Sequence, residues 1–187
     1  EYELIYSASG KQEGALGNIL LDSQTQPITK TILLGSKSGG GRITYHEGVT
    51  GGSITLTHNQ TRLKESWNYL SFNPVDPVIS SVDGRFNVTP TSSALKKGTI
   101  ITTMKTFGYE KTGLPEGVKV VAGPYGYFSE TAVKSPVKIQ MQLPAGEHLN
   151  PTLYAWTGKS WNKIATQLEG DTLSATAVGN VFLAIAK

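Results

Sequence analysis

The chain has 187 residues, a formal net charge of +3 and only 17% charged residues. Lys and Arg are too thinly spread for a nucleic-acid-binding face, which needs them clustered, and no run approaches the roughly 18 consecutive apolar residues of a membrane-inserted helix. Cysteine is absent, which excludes disulfides, thiolate metal sites and cysteine nucleophiles. A chain rich in Gly and Thr is typical of an exported, all-β protein. The lack of cysteine favours a bacterial or archaeal origin, because eukaryotic secreted domains often carry disulfides, and leaves a cytosolic origin open.

The first half of the chain shows irregular strand patterns separated by glycine-rich connections at 36–41 and 48–52. Residues 62–69 also fit a short helix, because Leu63, Trp67 and Leu70 have helical spacing. The strands predicted in this half are 2–6, 16–21, 28–34, 42–46, 53–57 and 67–72.

The second half has clearer strands. Val137, Ile139 and Met141 alternate with polar residues, so one face of this strand is apolar. Residues 181–185 are apolar on both faces, as in an internal strand. Short strands with frequent turn signals predict an antiparallel β-sandwich. The strands predicted here are 85–88, 99–106, 118–122, 137–143, 153–156, 161–166, 173–177 and 181–185, with turns at 95–98, 157–160 and 169–171.

A domain boundary is predicted at the proline-containing segment 72–77. Two prolines three residues apart remove ladder donors and force extended backbone. Residues 1–80 carry six basic and seven acidic residues, whereas 81–187 carry eleven and seven. We therefore predict two tandem β domains, 1–78 and 79–187, with one continuous sandwich as the alternative.

Signals for catalysis or cofactors are weak. His46, His58 and His148 are far apart in sequence and lack a metal-ligand spacing, so each is interpreted as an isolated surface histidine. No nucleophile-elbow motif occurs. No cofactor is predicted; structural calcium bound by loop oxygens stays open, although no calcium-loop motif supports it. The chain is therefore interpreted as non-catalytic.

Aromatic residues are the one positive feature. Alternation along strands puts three pairs on shared faces, and exposed indole and phenol rings stack on the C–H faces of sugars. The opposite interpretation is that these rings stabilise a hairpin or fill a core. The candidate ligand-binding residues are Tyr154, Trp156, Trp161, Tyr125, Tyr127, Trp67 and Tyr69.

Residues 82–187 carry an ordered series of turn and strand motifs: Val88-Thr89-Pro90, Ala94-Leu95-Lys96-Lys97-Gly98-Thr99, Ala122-Gly123-Pro124-Tyr125-Gly126, Ser135-Pro136-Val137-Lys138-Ile139, and Leu153-Tyr154-Ala155-Trp156-Thr157-Gly158-Lys159-Ser160-Trp161. This order resembles the ZU5-like β-sandwich modules, including relatives in bacterial surface proteins. The resemblance implies a structural or interaction module and leaves residues 1–80 unexplained.

Some relatives of that group cut their own backbone before a Ser that follows Phe, with a His just upstream. Phe128-Ser129 supplies the dipeptide here, but Tyr127 occupies the histidine position. Tyrosine, with a pKa near ~10, is a poor base at neutral pH. Self-cleavage at this bond is therefore the least supported of the functions considered and stands as the second alternative.

We expect a structural or adhesive module of a secreted or cell-surface protein that binds protein or cell-wall polysaccharide, and other domains of its own polypeptide. The first alternative is a carbohydrate-binding module of an extracellular glycanase, which would need two or three exposed, coplanar rings. No nucleic-acid partner and no membrane insertion are expected.

Overall fold

The computed structural model describes residues 1–21, 28–90 and 94–187. The predicted all-β class is confirmed, because the described residues form antiparallel strands and contain no helix. They group into two compact units, Glu1–Ser66 and Trp67–Lys187. The sequence placed its boundary at 78/79 instead. Phe72 and Ile79 flank the proline segment, and both lie in the core of the second unit. That segment is therefore a loop within the second unit.

The first unit contains a sheet with the order β6–β5–β1–β2 and a separate β3–β4 hairpin. β1 pairs with β2 along its whole length and with β5 on its other side. β6 continues past the boundary, and its residues from Trp67 onward belong to the second unit. The strands are β1 (Tyr2–Ala8), β2 (Lys11–Gly17), β3 (Gly35–Lys37), β4 (Ile43–Tyr45), β5 (Val49–His58) and β6 (Thr61–Ser71).

Three predictions for this half are wrong. Residues 62–69 are part of strand β6 and form no helix. The strand predicted at 16–21 ends at Gly17, and Leu20 is 86% exposed because its chain has left the sheet. Residues 28–34 form no strand. Apolar composition alone suggested both segments, but among the described residues neither 18–21 nor 28–34 joins a sheet.

The second unit is a sandwich of two sheets, with the orders β13–β12–β16–β10–β9–β6 and β14–β15–β11–β8–β7. Its remaining strands are β7 (Ile79–Ser80), β8 (Phe86–Pro90), β9 (Ile100–Lys105), β10 (Lys119–Ser129), β11 (Val137–Gln142), β12 (Thr152–Trp156), β13 (Trp161–Lys163), β14 (Gln167–Glu169), β15 (Thr172–Ala177) and β16 (Val181–Ala186).

The core of this sandwich lies between the two sheets. The alternation predicted on β11 is confirmed, because Val137, Ile139 and Met141 are fully buried. They meet residues of the opposite sheet, including Phe182 of β16 and Leu153 of β12. Interdigitation of two apolar sheet faces is the usual way in which a sandwich buries its core.

The larger sheet of this unit also buries its outer face. β16 lies between β12 and β10, and both of its faces are apolar, as predicted for an internal strand. Phe182 and Ala184 face the main core, whereas Leu183 and Ile185 form an outer cluster with Tyr154 and Trp161. We call this set the outer cluster; Leu114 and Val118, from the connection between β9 and β10, pack against it.

Candidate functional site

The β12–β13 hairpin presents the aromatic pair that the sequence singled out. Trp156 and Trp161 are directly paired across it, with ring centroids 5.3 Å apart at 56°. The turn closes because the Thr157 N–H donates to the Ser160 carbonyl over 3.1 Å, and Gly158 adopts a φ of +90° that favours glycine. Trp161 is buried, but Trp156 at the sheet end is only half-buried.

The β9–β10 connection runs across this hairpin and fixes Trp161. The Trp161 Nε1–H donates to the Glu110 carbonyl over 2.8 Å, and its backbone N–H donates to the Thr112 carbonyl over 2.9 Å. Gly113, with a φ of +88°, approaches the Trp161 backbone so closely that a Cβ there would lie 2.5 Å from the Trp161 carbonyl oxygen. Trp161 therefore has a structural role and offers no N–H to a ligand.

A first cleft, the Tyr109 cleft, opens between this connection and the hairpin. Its volume is about 330 Å³. Tyr109 is 43% exposed, so an aromatic ring borders solvent there. The lining residues are Thr106, Gly108, Tyr109, Glu110, Trp156, Trp161 and Val181.

A second cleft, the Val178 cleft, also borders Trp156 and has a volume of about 900 Å³. It is lined by the end of β10 with the residues after it, the β12–β13 turn and the β15–β16 turn. Val178 is 53% exposed there. The aromatic ring of Phe128 lies over Gly126, so a side chain at Gly126 would collide with it. Trp156 and Val181 line both clefts.

Five of the seven predicted ligand-binding residues are buried: Tyr154, Trp161, Tyr125, Tyr127 and Trp67. Their pairing on shared faces is as expected, but those faces pack inside the protein. Only Trp156 and Tyr69 are half-buried. These seven residues therefore do not form the exposed, coplanar set of rings that a sugar-binding platform needs.

Tyr125 and Tyr127 lie in the main core of the second unit. The Tyr125 hydroxyl donates to the Asp83 Oδ2 over 2.6 Å, and its ring stacks on Phe86 at 5.3 Å. The Tyr127 hydroxyl has no hydrogen-bond partner among the described residues, and burial raises the pKa of Tyr127 to about 12. Both rings are core components.

Asp83 anchors the β7–β8 turn to the larger sheet. Its Oδ1 accepts from the Ser81 hydroxyl over 2.6 Å, and the Lys105 Nζ lies 3.6 Å from its Oδ2. Burial alone raises the pKa of this carboxyl, but hydrogen bonds from Ser81, Tyr125 and the Arg85 N–H, with the charge of Lys105, outweigh burial and lower the pKa.

The Trp67–Tyr69 pair on β6 is an edge-to-face contact, with ring centroids 6.1 Å apart at 82°. The Trp67 Nε1–H has no partner among the described residues. This geometry is that of a packed aromatic pair, and it lies on a different strand from the hairpin pair.

The Phe128–Ser129 bond lies at the end of β10, where Phe128 pairs with Thr102 and Ser129 with Ile101. The Ser129 hydroxyl donates to the Thr131 carbonyl over 2.6 Å. Tyr127, the residue before Phe128, is buried in the core with a raised pKa. The phenolate form, which alone could take up a proton, is therefore even scarcer at neutral pH than in a free tyrosine.

One polar cluster was missed by sequence reasoning. His46, interpreted as an isolated surface histidine, is half-buried: its Nδ1 lies 3.0 Å from the Tyr6 hydroxyl and 3.9 Å from a Glu13 carboxylate oxygen. Burial raises the pKa of Tyr6, and Glu13 adds to this, while a backbone hydrogen bond with Gly35 opposes it. Tyr6 and Glu13 are direct partners across β1 and β2, so only a correct strand register brings the three together.

Within residues 1–21, 28–90 and 94–187, no cluster of three His, Asp or Glu side chains is placed to hold a metal ion. The same ranges contain no helix of the length and apolarity that a membrane crossing requires. The sequence matches no protein-family model, and no curated protein matches it either.

Proposed function

We propose that the chain is a non-catalytic interaction module of a secreted or cell-surface protein, and that it binds protein through one end of its second unit. The observation that carries this proposal is the position of Trp156. It is half-buried between two clefts, while the neighbouring large aromatic rings are used in the cores. Tryptophan in a cleft bordered by loops is typical of interaction hot spots.

Protein is favoured over carbohydrate as the partner because of the residues that line the larger cleft. Val178, Val181, Val133 and Ala132 line the larger one, and such apolar side chains suit the apolar side chains of a peptide. A sugar partner would be favoured by several exposed rings with amides beside them. The ZU5-like resemblance is part of this proposal, supported by the aromatic motif at 153–161 forming the hairpin that holds Trp156.

The proposal is tested with immobilised purified cell-wall and extracellular-matrix proteins, and in parallel with insoluble cellulose, chitin and peptidoglycan. We expect saturable binding to a protein, weakened at least tenfold in Trp156→Ala and unchanged in Leu168→Ala. Leu168 is a suitable control because it is 52% exposed on β14 and lines neither cleft. Retention on a polysaccharide alone would instead support the carbohydrate-binding alternative.

The self-cleavage alternative is tested by the intact mass of the purified chain. An uncut chain after prolonged incubation contradicts self-cleavage, whereas two fragments meeting at Phe128-Ser129 would establish it. A Ser129→Ala variant is the matched control, because it removes the hydroxyl that would attack.

A further inference from the structure

The Tyr109 cleft presents three aromatic rings, those of Tyr109, Trp156 and Trp161. Trp156 is half-buried and Tyr109 is 43% exposed. Trp161 contributes to the lining, but its Nε1–H is already bonded to the Glu110 carbonyl. The negative faces of such rings attract cations, with tryptophan the most effective of them.

The charge of the lining has the same sign in both clefts. Glu110 is the one charged residue that lines the Tyr109 cleft, and Glu130 is the one that lines the Val178 cleft, counted over the described part of the chain. Two lysines lie near the clefts, Lys111 in the β9–β10 connection and Lys159 in the β12–β13 turn, but neither residue lines a cleft. Lys105, next to Thr106 in sequence, is paired with Asp83. The surroundings of Trp156 are thus complementary to a positive group.

The size of the Tyr109 cleft selects a small cation. About 330 Å³ is at the lower end of ligand pockets, enough for the end of one side chain. Arginine fits this chemistry better than lysine, because its guanidinium is planar, stacks on aromatic faces and is less strongly hydrated. The Val178 cleft, which shares Trp156 and Val181 with it, would receive the neighbouring residues of the same peptide.

We propose that the Tyr109 cleft is a binding site for the guanidinium group of an arginine in an extended peptide, held against Trp156 and Tyr109 with Glu110 as the counter-charge. This inference rests on the proposed protein-binding function and names the group that the site recognises.

The test uses the whole chain and two acetylated, amidated peptides, Ala-Ala-Arg-Ala-Ala and the same peptide with citrulline in place of arginine. Citrulline has nearly the same shape but no charge. Tryptophan fluorescence and NMR chemical shifts are recorded during each titration. We expect the arginine peptide to bind at least fivefold more tightly, because a cation over an aromatic ring adds that much to affinity, and to perturb Trp156.

Matched variants locate the effect. Glu110→Gln and Tyr109→Leu are expected to reduce the preference for arginine over citrulline to less than twofold. Glu116→Gln is the control, because Glu116 lies in the same connection between β9 and β10 but does not line the cleft. It should keep the full preference. Tyr109 and Glu110 are exposed, so both variants should fold, which near-ultraviolet circular dichroism checks.

Equal affinity for the two peptides, binding of neither, or an arginine preference that survives both cleft variants would each overturn the inference. None of these results touches the proposed function, which is judged by the loss of binding to a whole protein in Trp156→Ala. If that loss occurs without an arginine preference, the module binds protein by other chemistry.

Discussion

In the second unit the larger sheet is covered on both faces at β16, whereas the first unit buries side chains mainly along one face of one strand. Phe182 and Leu183 are neighbours on β16, and both are fully buried in different clusters. On β1, by contrast, Tyr2, Leu4, Tyr6 and Ala8 are buried while Ser7 is exposed. A strand buried on both faces tolerates substitution poorly at every position, and a one-sided strand only at alternate positions.

The two units also differ in how polar groups connect their elements. The second unit uses a carboxylate, Asp83, that accepts hydrogen bonds from a turn and from β10. The first unit uses the contact between the Tyr6 hydroxyl and the His46 ring, which links β1 to the residue after β4. Hydrogen bonds to a charged carboxylate generally contribute more to stability than those of an uncharged hydroxyl. We therefore expect the loss of the Asp83 carboxylate to cost more stability than the loss of the Tyr6 hydroxyl.

The largest effect is expected from Phe182→Ala in the doubly covered strand. Phe182 is fully buried and packs against Phe86, with ring centroids 6.1 Å apart. Truncation should lower the free energy of unfolding of the second unit by about 3–5 kcal/mol, measured by urea denaturation followed by tryptophan fluorescence. Leu168→Ala, at an exposed position, should change it by less than about 0.5 kcal/mol. Similar losses of unfolding free energy in both variants would contradict the burial of β16 on both of its faces.

The next effect concerns the backbone spacing of the first unit. Gly52 is paired with Tyr6, and a side chain there would overlap the Ile5 carbonyl oxygen. Gly52→Ala should therefore destabilise the β1–β5 pairing by about 1–3 kcal/mol, seen as faster hydrogen exchange of the β1 amides. Gly39→Ala is the control, because open space surrounds Gly39. Unchanged exchange in both variants would show that this pairing is looser than described.

A smaller effect is expected from pH through Asp83. Its pKa is lowered in the folded chain, so its charged form stabilises the fold above the ordinary pKa of about 3.9. That contribution is lost as the pH falls through the lowered, folded-state value. Asp83→Asn should cost about 1 kcal/mol at pH 6, a value discounted for partial exposure, and markedly less near pH 2. Urea midpoints at both pH values measure this.

Asp76→Asn is the control for this prediction, because Asp76 is exposed in the proline-containing loop of the same unit. Its cost should be near zero at both pH values. A cost of Asp83→Asn that does not shrink on acidification would mean that shape, not charge, makes this residue important.

The smallest effect is expected from Tyr6→Phe in the first unit. It removes the hydroxyl that contacts His46 and leaves the ring, so the loss should be about 1 kcal/mol or less. Hydrogen exchange of β1 and β2 amides measures it, with Tyr45→Phe, at a 71% exposed ring, as the control. A loss larger than that of Asp83→Asn would reverse the comparison between the tyrosine hydroxyl contact and the carboxylate contact.

The sequence predicted the second unit well because its signals are local. Alternation at Val137, Ile139 and Met141 is a property of the strand itself, and the Gly158 and Gly170 turns need only their own backbone conformation. The first unit was predicted less well. The apolar residues at 16–21 suggested a strand, yet the actual strand β2 is mostly polar and glycine-containing and is formed by pairing with β1.

The candidate site was predicted in part. Alternation correctly put Tyr154 and Trp156 on one face. The local pattern could not show that the β9–β10 connection covers this face. That coverage depends on Gly113 approaching Trp161, a contact between residues far apart in sequence. For the same reason Tyr109 and Glu110 could not be assigned to a site with Trp156 before the fold was known.

The attachment of Trp161 has a consequence for cutting and joining the chain. The carbonyls of Glu110 and Thr112 are both held by Trp161, and they flank the exposed Lys111. A protease that cleaves after Lys111 would leave one new end attached through the indole and the other through the backbone of the same residue. The two pieces would therefore stay associated, which makes Lys111 a natural position for a split-protein reporter or an inserted tag.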